Sequence, residues 1–252
     1  MTASARPAGY RKHFVKGVLL AGLVSIVAVA NLPVTTRQGI NYEVSTHRLP
    51  LYVKGIEFLD RHVQYRQIAG EVTSGLATDE ARVRAVYDWT VRNLRPTPDD
   101  WLVVDDHILN IIIRRHGTRD QFADVFATIA TYGGVPAFWQ KTRARGTSDG
   151  VILSFACVDG RWVVLDVANH FVFKNDFGKL ATAEELAAHP ELLPAEARAL
   201  TVGATRYADV FVGLRTPPIP NPLRAELQMP GLRLWDATLR AVGLRHDRGP
   251  EL

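Results

Sequence analysis

The chain has 252 residues, of which 47% are hydrophobic and 22% charged, a composition that excludes a disordered or fibrous protein. Its formal net charge is +4, and four of its 30 basic residues lie within the first 16, while the other 26 balance 26 acidic residues. The four are Arg6, Arg11, Lys12 and Lys16. The rest of the chain therefore has no excess of positive charge, and a nucleic-acid partner is not expected.

The N-terminal region predicts a membrane segment. The four basic residues precede an uncharged apolar run, and positive charge on that flank favours its retention in the cytoplasm. We therefore expect residues 1–16 to be a cytoplasmic tail, residues 17–33 to be a membrane anchor, and the remainder to lie outside the cytoplasm. The run is short, at about 15 to 17 residues against the roughly 20 of a membrane helix. Because Ala28-Val29-Ala30 has the form of a signal-peptidase site, cleavage near Ala30 to give a secreted or periplasmic protein is the alternative.

Apolar periodicity predicts four helices after residue 50. The first runs from Leu51 to Ile68 before a break at Gly70 to Gly75, and the second starts at the N-cap Thr78 and ends before Pro96. The third, about residues 102–115, is apolar nearly all round and should be buried, with Gly117 in the left-handed position after it. The fourth runs from Thr118 to Tyr132. It should bury Phe122, Val125, Phe126 and Ile129.

The second half of the chain predicts a small sheet. The apolar period becomes two, which indicates strands at residues 137–141, 151–158 and 161–168, with Asp159-Gly160 as a two-residue hairpin turn. Residues 171–173 should extend this sheet. The fold class is therefore α+β, with one domain at residues 45–215. Residues 216–252 are expected to be a Pro-rich linker and an amphipathic helix at 232–242 with Leu232, Trp235 and Leu239 on one side.

Three sequence blocks resemble bacterial transglutaminase-like domains, which belong to the papain-like cysteine-protease superfamily. Residues 82–95 resemble the helix before the core. Residues 117–137 resemble the nucleophile helix, which in the family opens with Gly-x-Cys and closes with Gly-Ile-Pro-Ala. Residues 151–166 resemble the strand pair that carries the catalytic His and Asp. The order and spacing of the blocks also match, so the resemblance implies helices followed by a small antiparallel sheet.

Two positions of the implied catalytic triad have lost their residue type. Counting back from Gly134-Val-Pro-Ala137 places the nucleophile at Arg119, or at Asp120 with a shift of one, and counting back from the hairpin places the histidine at Val151. Only Asp166 remains. The two-residue turn makes positions 151 and 166 diagonal neighbours on one sheet face, where a histidine could bond the carboxylate and valine cannot.

Other reactive side chains are not expected to replace the missing pair. Cys157, the only cysteine, lies six residues from position 151 on one strand, roughly 20 Å away at ~3.3 Å per residue, and is expected to pack as a small hydrophobe. His170 follows Asp166 in a predicted turn and should be exposed. Residue spacing predicts neither a metal site nor a cofactor.

The remaining candidate site is a polar cluster at the start of the fourth helix. It comprises Arg119, Asp120 and Gln121, with Asp166 opposite. One interpretation is a structural ion pair between Arg119 and Asp166. The other is a recognition site for a polar ligand such as a glycan or peptide, with Trp139 or Trp101 as the stacking surface.

Two functions follow from these observations. The first is a non-catalytic, membrane-anchored binding or scaffolding module of the bacterial cell envelope, whose partner is an envelope protein or glycan. At family level the resemblance extends to components of polysaccharide assembly. The alternative is a hydrolase or transferase in which Asp120 and Asp166 act as an acid/base pair, which requires carboxylates about 5 to 9 Å apart.

Overall fold

The structure, a computed structural model, describes residues 8–40, 43–102, 107–144, 146–147, 150–241 and 243–244. Helix α1 (Ala8–Ala30) contains an 18-residue stretch, His13–Ala30, that is long and apolar enough to cross a membrane. This is the helix predicted from the apolar run. By length and composition it fits a single-pass membrane segment or a signal sequence.

A hairpin connects α1 to a long helix. Strand β1 (Pro33–Ile40) pairs antiparallel with β2 (Glu43–Pro50), and the N–H of Leu51 donates to the carbonyl of Leu32 at 2.9 Å. Helix α2 (Leu51–Thr73) therefore begins beside the end of α1.

Helix α2 is longer than predicted. The predicted break at Gly70 is wrong, because the helix continues through this residue to Thr73. Ala69 is buried, and Ile68 and Val72 pack against the same core. Their burial offsets the cost of glycine in a helix, about 1 kcal/mol relative to alanine.

Two helices start and end as predicted, α3 (Asp79–Asn93) and α5 (Arg119–Tyr132). The Thr78 hydroxyl accepts a hydrogen bond from the N–H of Ala81 at 3.2 Å, which caps α3. Helix α5 is buried from Gln121 to Thr131, and this stretch includes the four predicted apolar residues. A helix enclosed on every side forms the centre of the domain.

Helix α4 differs from its prediction. It covers Ile108–Arg114 only, and residues 103–106 of the predicted helix lie outside the described residues. The prediction that this helix is buried on all sides is wrong, since Ile113 is 69% exposed. Arg115, with φ of 59°, takes the left-handed conformation predicted for Gly117. Gly117 lies instead in the parallel pair formed by β3 (Arg95–Pro96) and β4 (His116–Gly117).

An antiparallel sheet follows in the order β5-β6-β7-β8. Its strands are β5 (Ala137–Arg143), β6 (Gly150–Val158), β7 (Arg161–Asp166) and β8 (Phe171–Val172). Asp159 and Gly160 join β6 to β7 with φ of 49° and 78°, as a type I′ turn requires. The predicted register is confirmed, because Val158 pairs with Arg161.

Both faces of the sheet are buried. Ala156, Val163 and Leu165 pack with α2, α3 and α5 in a first core. Residues of the other face pack in a second core against the C-terminal segment, residues 181–223. That segment contains α6 (Ala183–Ala188), α7 (Ala195–Ala199), β9 (Thr201–Val202), β10 (Thr205–Arg206) and a 3-10 turn at Tyr207–Phe211. The domain therefore has three layers, which confirms the α+β class.

The Pro-rich segment after residue 215 is held against the domain. The N–H of Thr216 donates to Oε1 of Glu184 at 2.7 Å, and Leu223 is buried in the second core. Helix α8 (Pro230–Ala241) begins two residues before its predicted start, and residue 242 lies outside the described residues. Its apolar residues Leu232 and Trp235 are 41% and 62% exposed.

Tyr65 links α2 to α4, and its removal tests this packing. Its side chain is fully buried and its hydroxyl accepts a hydrogen bond from the N–H of Leu109 at 3.0 Å. We expect Tyr65→Phe to lower the free energy of unfolding by about 1–3 kcal/mol, because a buried backbone donor loses its acceptor. The matched control Tyr52→Phe, at a residue 49% exposed, should change it by less than about 0.5 kcal/mol. Denaturant unfolding of the full chain in detergent measures both, and equal effects would contradict this packing.

Candidate functional site

Gln121 organises the start of α5 from inside the protein. It is buried, and its Oε1 accepts hydrogen bonds from the N–H of Thr118 at 3.1 Å and from Nη2 of Arg114 at 3.0 Å. A Cβ atom at position 117 would approach Oε1 of Gln121 to 3.4 Å, so Gly117 gives this side chain its space. Gln121, predicted as a binding residue, is therefore engaged within the fold.

Arg119 and Asp120 remain on the surface. Both are exposed, and Asp120 accepts a hydrogen bond from the Thr118 hydroxyl. The carboxylate lies in the first turn of α5, where the positive end of the helix dipole stabilises it. Arg119 lies in the same turn with its side chain exposed, and its positive charge opposes the helix dipole.

An exposed aromatic ring lies near this helix start. Trp101 is 41% exposed, and its ring centroid lies 5.2 Å from that of His116, three residues before Arg119. Arg115 beside it is also exposed. Indole, imidazole and guanidinium groups thus share the surface that leads into α5.

Asp166 is completely buried at the end of β7. Its carboxylate accepts hydrogen bonds from the N–H of Asn169 at 2.9 Å, from Nδ2 of Asn169 at 2.8 Å and from the hydroxyl of Tyr207 at 2.7 Å. Burial raises the pKa of Asp166 above its ordinary value of 3.8, although these hydrogen bonds act in the opposite direction. Burial and then the charge of Asp166 raise the pKa values of Tyr87 and Tyr207.

Val151 occupies the predicted histidine position inside the second core. It is 1% exposed and pairs with Thr142 of β5. The β6–β7 ladder ends at Ser154 and Leu165, one pair before Asp166 would be reached. Its register nevertheless places Val151 and Asp166 on the same sheet face, as predicted. Valine has no group that could donate a hydrogen bond to that carboxylate.

Arg119 and Asp166 are not in direct contact. In the described part of the chain no ion pair joins them, and Arg119 lowers the pKa of Asp166 only through its charge, as the weakest of several causes. The hydrogen bonds of Asp166 come from Asn169 and Tyr207 instead. The structure therefore gives the predicted structural ion pair no support.

Cys157 and His170 lie where the sequence places them. Cys157 is half-buried in β6 opposite Trp162, and its N–H donates to the carbonyl of Pro136 at 2.8 Å. His170 is exposed with φ of 62°, and its ring faces Phe122 at 6.4 Å between centroids. Among the described residues, no group of three His, Cys, Asp or Glu side chains could hold a metal ion.

Trp139 has a structural partner. Its indole N–H donates to Oδ1 of Asp124 at 2.6 Å, and Oδ2 of Asp124 lies 3.1 Å from Nη2 of Arg224. This chain of contacts ties β5 and α5 to the segment after residue 215. Trp101 is consequently the better exposed of the two predicted stacking surfaces.

Sequence reasoning missed Asn169 and Tyr207, the two partners of Asp166. Asn169 follows three residues later in a turn, and a side-chain acceptor followed by a turn residue is a local signal that could have identified it. Tyr207 lies 41 residues further along the chain. No local pattern indicates that contact.

Comparison with known proteins finds a family model that matches part of the chain. Residues 66–167 match the model of the transglutaminase-like superfamily. No curated protein matches the chain.

Solved structures of low similarity include a candidate cysteine protease from Cytophaga hutchinsonii, with 17% identity over 46% of this chain and 40% of that one, at a TM-score of 0.38. A candidate protease from Parabacteroides distasonis has 12% identity over 54% of this chain and 36% of that one, at a TM-score of 0.36. A TGase has 14% identity over 56% and 45%, at a TM-score of 0.32. This chain covers less than half of each, and similarity at this level carries no inference about activity.

The buried carboxyl of Asp166 makes stability depend on pH. Because its pKa is raised in the folded state, that state binds more protons than the unfolded one above about pH 4, so stability is lost as the pH rises. We expect the unfolding free energy of the wild type to fall relative to that of Asp166→Asn between about pH 4 and pH 7. Denaturant unfolding at a series of pH values measures the difference.

The control is the same substitution at an exposed turn position, Asp159→Asn. The result would contradict a proton on buried Asp166 if the difference in unfolding free energy between the wild type and Asp166→Asn stayed constant with pH. A difference that changed in favour of the wild type as the pH rose would contradict it as well.

Proposed function

We propose that the protein is a non-catalytic, membrane-anchored transglutaminase-like module that binds an envelope partner. The match of residues 66–167 to the superfamily model supports the transglutaminase-like part of this proposal. The ligand class that fits its exposed residues is an acidic glycan, as in polysaccharide assembly. The single observation that carries this proposal is the complete burial of Asp166 behind Tyr207.

Acyl transfer by a cysteine nucleophile needs a thiolate, an imidazole and an open path for the substrate. Arg119 and Val151 occupy the positions predicted for the thiolate and the imidazole. The only thiol in the sequence is half-buried opposite Trp162. Val151 and Asp166 are both enclosed. These facts argue against turnover at this position.

The same burial argues against the two-carboxylate alternative. An acid/base pair must contact the substrate with both groups. Asp120 is exposed, but Asp166 has no exposed surface and its oxygens already accept three hydrogen bonds.

The exposed residues before and at the start of α5 support recognition of an acidic sugar. Guanidinium groups bind carboxylates through paired hydrogen bonds, and Arg115 and Arg119 are both exposed here. Trp101 offers an aromatic ring on the same surface. Asp120 can accept hydrogen bonds from sugar hydroxyls.

A charge reversal at Arg119 tests this surface. We expect Arg119→Glu to weaken binding of the full chain to an acidic polysaccharide by roughly tenfold, about 1.4 kcal/mol, because an attractive charge becomes repulsive. Titration of detergent-solubilised protein with oligogalacturonate measures the change. Neutral dextran should bind neither protein.

The matched control is Arg198→Glu, an exposed arginine on α7 in the C-terminal segment. It alters the net charge equally and should leave the affinity unchanged. Equal losses of affinity in the two variants would show that binding depends only on net charge. No binding of oligogalacturonate by the wild type would contradict an acidic glycan as the ligand.

A further inference from the structure

A cleft opens where the chain leaves helix α1. It lies between the hairpin of β1 and β2 and the first turn of α2, and its volume is about 540 Å³. The described residues that line it are Pro33, Val34, Thr35, Arg48 and Lys54. Pockets that hold small molecules have volumes of about 300–1,000 Å³. The cleft is therefore large enough to hold a small ligand.

Two cationic side chains converge at Thr35. Arg48 is its cross-strand partner in the hairpin, so the two side chains lie on the same face with Cβ atoms about 5 Å apart. The ammonium group of Lys54 donates a hydrogen bond to the carbonyl of Thr35 at 2.8 Å. This bond uses one of the three N–H groups of Lys54 and holds its charge in the cleft. Strand β2 and helix α2 therefore bring positive charge to one point.

The described side chains offer no negative charge to balance these two cations. Among them, no carboxylate forms an ion pair with Arg48 or Lys54. Glu57, one turn further along α2, is not among the described residues that line the cleft, and its charge acts on His107. Guanidinium and ammonium groups that converge in this way bind phosphate oxygens through charge-assisted hydrogen bonds. The ligand that fits the cleft is therefore an anion.

The distance of the cleft from the end of α1 places it beside lipid headgroups. The candidate membrane span ends at Ala30, and Pro33 and Thr35 follow that residue closely. At ~3.3 Å per residue they lie at most about 10 and 16 Å beyond the span. The headgroup layer of a bilayer extends roughly 5–8 Å beyond its hydrocarbon core. With the membrane anchor of the proposed function, on which this inference rests, the cleft therefore borders the headgroup layer.

We propose that this cleft binds the headgroup of an anionic phospholipid of the phosphatidylglycerol class. The phosphodiester accepts hydrogen bonds from the guanidinium of Arg48 and the ammonium of Lys54. Pro33 and Val34 supply an apolar edge for the glycerol carbons. A zwitterionic headgroup is a poorer ligand, because its own cation would meet two positive charges in the cleft.

Native mass spectrometry of the full chain in detergent tests this site. With phosphatidylglycerol and phosphatidylcholine of the same acyl chains, the wild type should bind phosphatidylglycerol several-fold more tightly. Arg48→Gln and Lys54→Gln should each weaken that binding about fivefold, the contribution of one cation beside anionic lipid. Arg48 is exposed, so its replacement leaves the packing of the domain intact. The matched control Arg198→Gln removes the same charge from an exposed position on α7 and should leave the affinity unchanged.

Three results would overturn the lipid site. The first is equal binding of the two lipids by the wild type, and the second is an equal loss of affinity in Arg48→Gln and Arg198→Gln. The third is binding of soluble glycerol phosphate as tight as that of phosphatidylglycerol, which would assign the cleft to a free phosphate compound. The intact mass of the chain from membranes shows whether α1 is retained, and a mass without α1 would overturn both the anchor and the lipid site. Failure of glycan binding alone leaves the lipid result unchanged, so the two proposals fail separately.

Discussion

The hydrogen bond from the Tyr207 hydroxyl to Asp166, at 2.7 Å, is the contact that links the C-terminal segment to the buried end of β7. Asp166 ends a strand whose two faces are both covered, so its carboxyl group must find donors inside the protein. Asn169 supplies two from the adjacent turn. The third comes from the C-terminal segment, which is thereby fixed over the sheet. Phe173, Phe211 and Leu186 then complete the second core around that contact.

The burial of Asp166 separates the enclosed residues of the region that matches the superfamily model from those that can meet a ligand. Asp166 and Val151 lie inside with Tyr207, whereas Arg119 and Asp120 lie outside at the start of α5. Gln121 stands at the boundary and holds the helix start in place through Thr118 and Arg114. Two of the three predicted triad positions, Val151 and Asp166, are thus enclosed, whereas the third, Arg119, is exposed.

Much of the fold follows from local sequence signals, and the failures have long-range causes. Thr118, the period-two strands and Asp159-Gly160 are local patterns, and the structure confirms them. Helix α2 continues through Gly70 because tertiary packing outweighs the low helix propensity of glycine. Ile113 is exposed because α4 has apolar residues on all sides and only one side packs against the domain. The contact between Asp166 and Tyr207 could not be predicted from the sequence, because Tyr207 lies far along the chain in a segment with no motif. An arginine opposite a carboxylate suggested an ion pair, but in the structure a tyrosine and an asparagine bind the carboxylate instead.

The claim that this domain binds without catalysing is tested most directly by a turnover assay of the full chain in detergent. The substrates should test acyl transfer, amide hydrolysis and glycoside hydrolysis. They are a glutamine peptide with an amine acceptor, a peptide amide and an acidic oligosaccharide. We expect no product above buffer for any of them, before or after alkylation of Cys157. Product that grows with protein concentration and is lost in Asp120→Asn or Asp166→Asn would contradict it, and would mean that the cover over Asp166 opens to admit a substrate.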